Sequence, residues 1–256
     1  MTENKFLLMF SSRWLTMLVR LAFVLNGFAF GVVNYWIYTA RWWFIETQSH
    51  VYSDPPTISR AISPDYIGIP FSFWITLSGL VLIAGVAIMV LRYWIYLHSF
   101  QTQVISLLVC RRIILPMIVL MQVASALGMH WLSYYRFPNF HSEHMTGSYI
   151  FFVGQALVIV LYLIINTVLW RSEKHGLSSG NDNWVSLGWV KVRIWLCWLT
   201  VVLVCLYFGF FLAKSHTSDA LVYLIYVSLE PVVITMFLMV LMASHGGRVF
   251  TRSHRT

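Results

Sequence analysis

One acidic residue, Glu230, lies near the middle of a long apolar stretch and is followed directly by Pro231. An ionisable group at that depth in a membrane costs several kcal/mol unless it is protonated, paired or facing a polar cavity. Pro231 has no backbone N–H, so in a helix the carbonyl group of Val227, four residues earlier, loses its hydrogen-bond donor. The pair indicates either a proton, ion or lipid-headgroup site, or a carboxyl group held by another helix. For the second alternative, the candidate partners are Gln122, Ser125, Gln155 and Asn166.

A second group that could carry chemistry consists of His141, Glu143 and His144. The two histidines are spaced i and i+3, which places them on one face if the segment is helical. Two histidines and a carboxylate could bind zinc and activate a water molecule, as a membrane-embedded hydrolase would require. The order His-Ser-Glu-His matches no zinc signature, and hydrogen-bonded or solvated histidines are the alternative. We therefore expect no cofactor, with zinc at these three residues as the competing possibility.

The elements that must position these residues are membrane-spanning helices. The chain has 256 residues, of which 59% are hydrophobic and 10% are charged, whereas about a quarter of the residues of a soluble domain are charged. A run of about 20 apolar residues crosses the hydrocarbon core of a bilayer. The composition excludes a soluble enzyme and predicts an all-α membrane protein, with residues 1–256 forming a single six-helix transmembrane domain. The predicted spans are residues 15–38, 67–91, 113–131, 149–170, 194–213 and 221–242.

The distribution of basic residues predicts the orientation of these spans. Six spans put both termini on one side, and that side holds all of the 17 Lys and Arg residues except Arg41, Arg60, Arg136 and Lys214. Cytoplasmic loops retain an excess of Lys and Arg, so we expect both termini to be cytoplasmic. Basic residues at helix ends on that side could contact anionic headgroups or could serve only to fix the topology. These candidates are Arg92, Arg111, Arg112 and Arg171.

The connections on the opposite, exterior side differ in length. The first covers about residues 39–66, and its prolines predict an extended, turn-rich segment rather than a helix. The second covers about residues 132–148 and carries the histidine group. In the first span, Asn26 and Asn34 are eight residues apart and therefore lie roughly on one face. They predict that this helix has a polar side that faces the protein.

Short motifs in the exterior connections resemble those of a known family. Residues 56–59, Pro-Thr-Ile-Ser, followed by Pro-Asp at 64–65, are similar to a Pro-x-Ile-Ser then Pro-Glu pattern that leads into a second span. Residues 137–140, Phe-Pro-Asn-Phe, with His144 and Gly147 after them, resemble an Asn-Phe, His, Gly sequence between a third and a fourth span. Both motifs fall at the corresponding places in the order of predicted spans.

A third motif, Ser-Leu-Glu at residues 228–230, is similar to a Ser-x-Glu-Trp pattern in a sixth span. With these motifs in order, the chain resembles the DRAM (damage-regulated autophagy modulator), Frag and Sfk family of six-span membrane proteins, which includes the GPI-anchor lipid-remodelling proteins. Two departures suggest a distant member. Residues 60–62 replace the usual acidic-Thr-Gly, and Pro231 stands where Trp is usual.

The resemblance implies a role in membrane lipid organisation, such as lipid asymmetry, phosphoinositide or GPI-lipid function, or autophagy-type regulation. Its implied partners are membrane lipids and a membrane or cytoplasmic protein, and we expect no nucleic acid. The positions that match the motifs are Pro56, Ile58, Ser59, Pro64, Asp65, Asn139, Phe140, His144, Gly147 and Glu230. Among these, the candidates for a lipid or polar site are Glu230, His144, Asn139, Ser59 and Asp65.

Three functions remain open from the sequence. The leading hypothesis is a non-catalytic, multi-pass membrane protein that binds or organises lipids, in an endomembrane or plasma membrane of a eukaryote or the inner membrane of a bacterium. The alternative is a membrane-embedded, metal-dependent lipid hydrolase or acyl-remodelling enzyme that uses the exterior histidines and Glu230. The third is a small transporter or channel in which Glu230 titrates. Against it, the sequence has a single deep carboxylate and predicts no paired, broken helices in matching halves.

Overall fold

A computed structural model describes residues 12–48, 54–98, 105–174 and 187–244. These residues form six long helices, each long and apolar enough to cross a membrane, so the predicted all-α class and the number of spans are confirmed. Five of them are uninterrupted: α1 (Ser12–Gln48), α3 (Asp65–His98), α6 (His141–Lys174), α7 (Leu187–Lys214) and α8 (Ala220–Ala243). The remaining long helix runs through α4 (Ile105–Val109), a π-helical turn (Cys110–Ile114) and α5 (Leu115–Tyr134). A short helix, α2 (Ile58–Ala61), precedes α3.

The long helices extend beyond the predicted apolar runs at both ends of the bundle. The end opposite the start of α1 is called the exterior end here, after the predicted orientation. α1 continues to Gln48 and α6 already begins at His141, because residues at a membrane boundary can be helical without being uniformly apolar. The expectation that residues 39–66 avoid helix is therefore wrong at 39–48 and again at α2. Pro55, Pro56 and Pro64 do lie outside the helices, as their missing N–H groups and restricted backbone favour.

The six long helices form a closed ring. Each packs against its neighbours in the sequence, and α8 returns to pack against α1, as short connections between successive antiparallel helices allow. The α1–α8 contact carries the polar groups predicted for α1. Asn26 Nδ2 donates to the carbonyl oxygen of Leu241 at 3.2 Å, and Thr235 Oγ1 donates to Asn34 Oδ1 at 2.5 Å. The prediction that Asn26 and Asn34 face the protein is confirmed.

The carbonyl group that Pro231 leaves without a donor finds one in another helix. Arg41 Nη1, from α1, donates to the carbonyl oxygen of Val227 at 3.2 Å. A hydrogen bond from a charged donor compensates for the lost helical bond. Arg41 therefore compensates for the one backbone hydrogen bond that Pro231 removes from α8.

Glycines bring α5 and α6 into close contact near the exterior side. A Cβ atom at Gly147 would lie 2.6 Å from the backbone nitrogen of Leu132, and one at Gly128 would lie 2.4 Å from that of Phe151. Small residues permit such close approach of membrane helices. The contact at Gly147 fixes the first turn of α6, including His144, against the end of α5.

Candidate functional site

The exterior end of the bundle is formed by α2 and by the connections at 135–140 and 215–219. The short helix α2 is inserted between the long helices rather than lying over them. Ile58 is 5% exposed, and Ala61 and Ile62 are fully buried, so the apolar residues of this segment contribute to the core. Thr57 caps the helix, because its Oγ1 accepts a hydrogen bond from the backbone N–H of Arg60 at 3.2 Å. The segment that carries Ser59 thus has a defined conformation.

Glu230 holds this segment from α8. Its Oε2 accepts a hydrogen bond from the backbone N–H of Ile58 at 2.8 Å, and the side chain is buried. About two turns earlier on α8, the hydroxyl group of Tyr223 donates to the carbonyl oxygen of Pro55 at 3.1 Å. Two side chains of one helix therefore fix the chain on either side of Thr57.

The partner of Glu230 differs from the four that the sequence suggested. Ser125 Oγ donates to Gln155 Oε1 at 3.0 Å, and Asn166 Oδ1 accepts a hydrogen bond from the hydroxyl group of Tyr93 at 3.3 Å. These polar residues form their own contacts between helices. The interhelical side-chain alternative was wrong in its choice of partner, because a connecting segment enters the bundle and supplies a backbone donor.

Ser59 and His144 form the second polar contact of the site. Ser59 Oγ lies 2.7 Å from His144 Nε2, and His144 Nδ1 lies 2.9 Å from the carbonyl oxygen of Tyr135. A carbonyl oxygen only accepts, so Nδ1 carries the hydrogen atom, and in the neutral ring Nε2 accepts from the serine hydroxyl group. His144 is 1% exposed. The arrangement places a serine hydroxyl group beside an oriented, buried imidazole base.

A partly open cavity of about 420 Å³ lies beside these groups and is lined by Ser59, His144 and Glu230 among others. Pockets for small molecules fall in the same range of volume. Aromatic rings form one wall: the ring of Tyr207 stacks on that of Phe152 with centroids 5.0 Å apart, and on that of Tyr226 with centroids 5.3 Å apart. The cavity therefore combines an apolar wall with a compact polar group.

Positive side chains also line the cavity. Arg60 and Lys214 are among its lining residues, and Glu230 is the carboxylate there. Lys214 Nζ lies 4.0 Å from the ring centroid of Tyr226, a contact in which the aromatic ring attracts the cation. The site therefore offers more positive than negative charge to a ligand.

The family described as the Frag1/DRAM/Sfk1/Cwh43P N-terminal domain matches residues 14–245. The chain belongs to this family. The membership and the six membrane-spanning helices make the protein an integral, multi-pass membrane protein, and the resemblance inferred from the three motifs is confirmed. No curated protein matches the chain. No solved structure matches it either.

In this Frag1/DRAM-family chain, the three motifs converge on one place. Ser59 comes from the first motif, His144 from the second and Glu230 from the third, and all three line the same cavity. Ile58 of the first motif is the donor to Glu230, and Gly147 of the second sets the helix contact beside His144. The structure thus brings together residues that the sequence could only name separately.

Two other candidates lie elsewhere. Asp65 forms an ion pair with Arg136, with Oδ1 and Nη2 2.7 Å apart, and its side chain is 80% exposed. Asn139 is exposed in the connection between α5 and α6. Neither residue lines the cavity. Asp65 instead joins the start of α3 to the connection that follows α5.

The candidate zinc residues are separated by their environments. His141 and Glu143 are exposed at the start of α6, whereas His144 is buried. Both ring nitrogens of His144 contact protein atoms, so a metal ion would have to displace one of these partners. Within the described ranges, no group of three or more His, Cys, Asp or Glu residues is arranged to hold a metal ion.

The candidate headgroup contacts at the opposite end are also not equivalent. Arg112 and Arg171 are exposed and Arg111 is partly exposed. Arg92 is only 8% exposed. Arg92 therefore faces the bundle, and the other three remain candidates for contact with headgroups.

Sequence reasoning missed the aromatic and cationic lining of the cavity. The signal was present as spacing: Tyr207, Phe211 and Lys214 follow i, i+4, i+7 on α7, and residues at these intervals share one helix face. Tyr226 and Glu230 are likewise i and i+4 on α8. The carbonyl group of Tyr135 gives no sequence signal, because backbone groups are present at every position.

Proposed function

We propose that this protein binds a membrane lipid in the exterior cavity and thereby organises lipids in its membrane. The observation that supports the proposal most directly is the cavity itself, in which the stacked rings of Phe152, Tyr207 and Tyr226 lie beside the polar group of Ser59 and His144. A lipid has the same two parts, an apolar chain and a polar ester and headgroup region. The aromatic wall suits the chain, and the polar group suits the region near the ester.

The charge of the cavity favours an anionic headgroup. Arg60 and Lys214 contribute positive charge, and Lys residues bind phosphate groups as point charges. Glu230 contributes the opposite charge, but its Oε2 already accepts the N–H of Ile58. We therefore propose a phospholipid with net negative charge as the ligand.

The proposal includes the predicted orientation, with both termini cytoplasmic. The lipid site would then face the exterior leaflet, while the basic side chains of Arg111, Arg112 and Arg171 would face the cytoplasmic leaflet. A protein that binds a lipid on one side and contacts anionic headgroups on the other is suited to act on lipid asymmetry. A membrane or cytoplasmic protein partner fits the same role.

Native mass spectrometry of the full chain in detergent tests the lipid site. We expect phosphatidylglycerol to bind more tightly than phosphatidylcholine, and Lys214→Met to weaken phosphatidylglycerol binding by about tenfold, which corresponds to ~1.4 kcal/mol. Lys191→Met is the matched control, because Lys191 is an exposed lysine of the same helix near its opposite end. Equal affinities for the two lipids, or equal effects of the two substitutions, would overturn the proposal.

A further inference from the structure

We propose that Ser59 is a nucleophile activated by His144, and that the site transfers the acyl chain of an ester-linked membrane lipid. This inference rests on the proposed lipid binding, since the lipid is the substrate. It goes further, because binding alone needs no nucleophile. The groups that carry it are the Ser59 hydroxyl group, the His144 imidazole and the Tyr135 carbonyl group.

The distances are those of an activated serine. A nucleophile and its base lie within about 2.6–3.2 Å of each other when the base is oriented by a third group. Ser59 Oγ is 2.7 Å from His144 Nε2, and the third group is the carbonyl oxygen of Tyr135, 2.9 Å from Nδ1. The Nδ1–H bond fixes the tautomer that leaves Nε2 free to accept the serine proton.

Both side chains are held by their surroundings. Glu230 binds the N–H of Ile58, directly before Ser59, and Thr57 caps the same turn. His144 lies one turn before Gly147, where the backbones of α6 and α5 approach closely. Rigid support of this kind is what a catalytic pair requires. Glu230 and Gly147 are positioning residues in this account.

The reaction balances without an oxidant or reductant. Ser59 Oγ attacks the carbonyl carbon of the lipid ester, and its proton passes to His144 Nε2. The ester C–O bond then breaks, the proton moves from Nε2 to the departing oxygen, and a lysolipid leaves with the acyl chain bonded to Ser59. Water or the hydroxyl group of a second lipid attacks this acyl-serine and gives its proton to Nε2. The Ser59 oxygen takes that proton back as the fatty acid or reacylated lipid departs.

The surroundings suit the charge that develops. The tetrahedral intermediate carries a negative oxygen, and positive groups placed near such an oxygen stabilise it. Arg60 and Lys214 line the cavity into which the lipid ester would enter. The same side chains that favour an anionic headgroup therefore supply the electrostatic environment for the step.

A second hydroxyl–imidazole contact in the chain provides a matched control. Thr76 Oγ1 lies 2.9 Å from His130 Nδ1, between α3 and α5, and the contact is exposed. Neither residue lines the cavity of Ser59. If closeness to a histidine were enough to activate a hydroxyl group, a serine-directed reagent would label Thr76 as well as Ser59.

The test treats the full chain, in detergent, with a fluorophosphonate probe and maps the label by peptide mass spectrometry. We expect phosphonylation of Ser59, its loss in Ser59→Ala, and a decrease of at least about tenfold in His144→Gln. Thr76→Ala and His130→Gln should leave the labelling of Ser59 unchanged. In phosphatidylcholine vesicles that contain phosphatidylglycerol with a fluorescent acyl chain, the protein should release or transfer the labelled chain.

Each result separates this inference from the proposed lipid binding. Phosphatidylglycerol bound by the unmodified chain, with Ser59 unlabelled and the acyl chain intact, would overturn acyl transfer and leave lipid binding standing. Absence of lipid binding would overturn the proposed function itself. If Ser59→Ala and His144→Gln also lose lipid binding, the variant Ser59→Cys distinguishes the two roles. An acyl chain linked to Cys as a thioester, and released by hydroxylamine, would support residue 59 as the nucleophile. Absence of this thioester would overturn the proposed acyl transfer.

Discussion

Glu230 of α8 accepts a hydrogen bond at 2.8 Å from the backbone N–H of Ile58, which lies 172 positions earlier in the chain. The contact joins the last transmembrane helix to the first exterior connection and fixes the turn that carries Ser59. The hydrogen bond to the Ile58 N–H explains why a carboxylate lies in the apolar interior.

Loss of the Glu230 carboxylate should destabilise the bundle. Glu230→Ala leaves the buried N–H of Ile58 without an acceptor, and we expect a loss of about 1–3 kcal/mol in the free energy of unfolding. Glu230→Gln retains an acceptor oxygen and should cost less. Unfolding in SDS, followed by circular dichroism, measures both. Glu46→Ala, at an exposed glutamate of α1, is the control, and a Glu230→Ala cost no greater than that of the control would contradict the account.

Arg41 and Pro231 should be coupled. Arg41→Met removes the donor to the carbonyl group of Val227, whereas Pro231→Ala restores a backbone N–H that can take its place. We expect Arg41→Met to lower the free energy of unfolding by about 1–3 kcal/mol with Pro231 present and by clearly less with Pro231→Ala. A double-mutant cycle measures the difference. Identical costs in the two backgrounds would show that the Arg41 contact does not replace the helical bond.

Enlarging Gly147 should disturb both packing and the serine site. A Cβ atom there would meet the backbone of Leu132, so Gly147→Ala should separate α6 from α5, cost about 1–3 kcal/mol of stability and reduce probe labelling of Ser59. Gly209→Ala is the matched control, because a Cβ atom at Gly209 meets nothing within 4 Å. Thermal unfolding and labelling check the prediction, and equal behaviour of the two variants would refute it.

Both termini should be cytoplasmic. The side that holds them has 13 of the 17 basic residues, and positive charge is retained on the cytoplasmic side. An epitope tag at the C-terminus should resist protease in intact cells and become sensitive after permeabilisation. A tag inserted in the connection between α7 and α8 serves as the control and should be cleaved in intact cells. The reverse pattern would invert the assignment of the lipid site to the exterior leaflet.

The sequence predicted the features that depend on periodic or local physics. Apolar length identified the six spans, the spacing of Asn26 and Asn34 identified the polar face of α1, and Pro231 identified the carbonyl group of Val227 as an acceptor without a donor. The donor, Arg41, entered the sequence analysis only in the count of basic residues that predicts the orientation. Its contact with α8 was missed because α1 was not expected to extend to Gln48. Helical turns at the membrane boundary are too polar to satisfy a rule based on apolar runs.

The site was predicted as separate residues rather than as an arrangement. Family motifs pointed to Ser59, His144 and Glu230, but the contact between Ser59 and His144 spans 85 positions and depends on α2 entering the bundle. Such long-range contacts follow from packing, which no short motif encodes. Asp65 and Asn139 were candidates because they also match the family motifs, but they lie outside the cavity.

Photocrosslinking can locate a bound lipid in the exterior cavity. Phosphatidylglycerol with a diazirine close to its ester group is added to the full chain, irradiated, and the crosslinked residues are mapped by mass spectrometry. We expect crosslinks within residues 57–60, the first turns of α6 and the Tyr226–Glu230 turn of α8, with competition by unlabelled phosphatidylglycerol. Crosslinks confined to membrane-facing side chains such as Phe73, Leu80 and Leu127, without competition, would contradict lipid binding in this cavity.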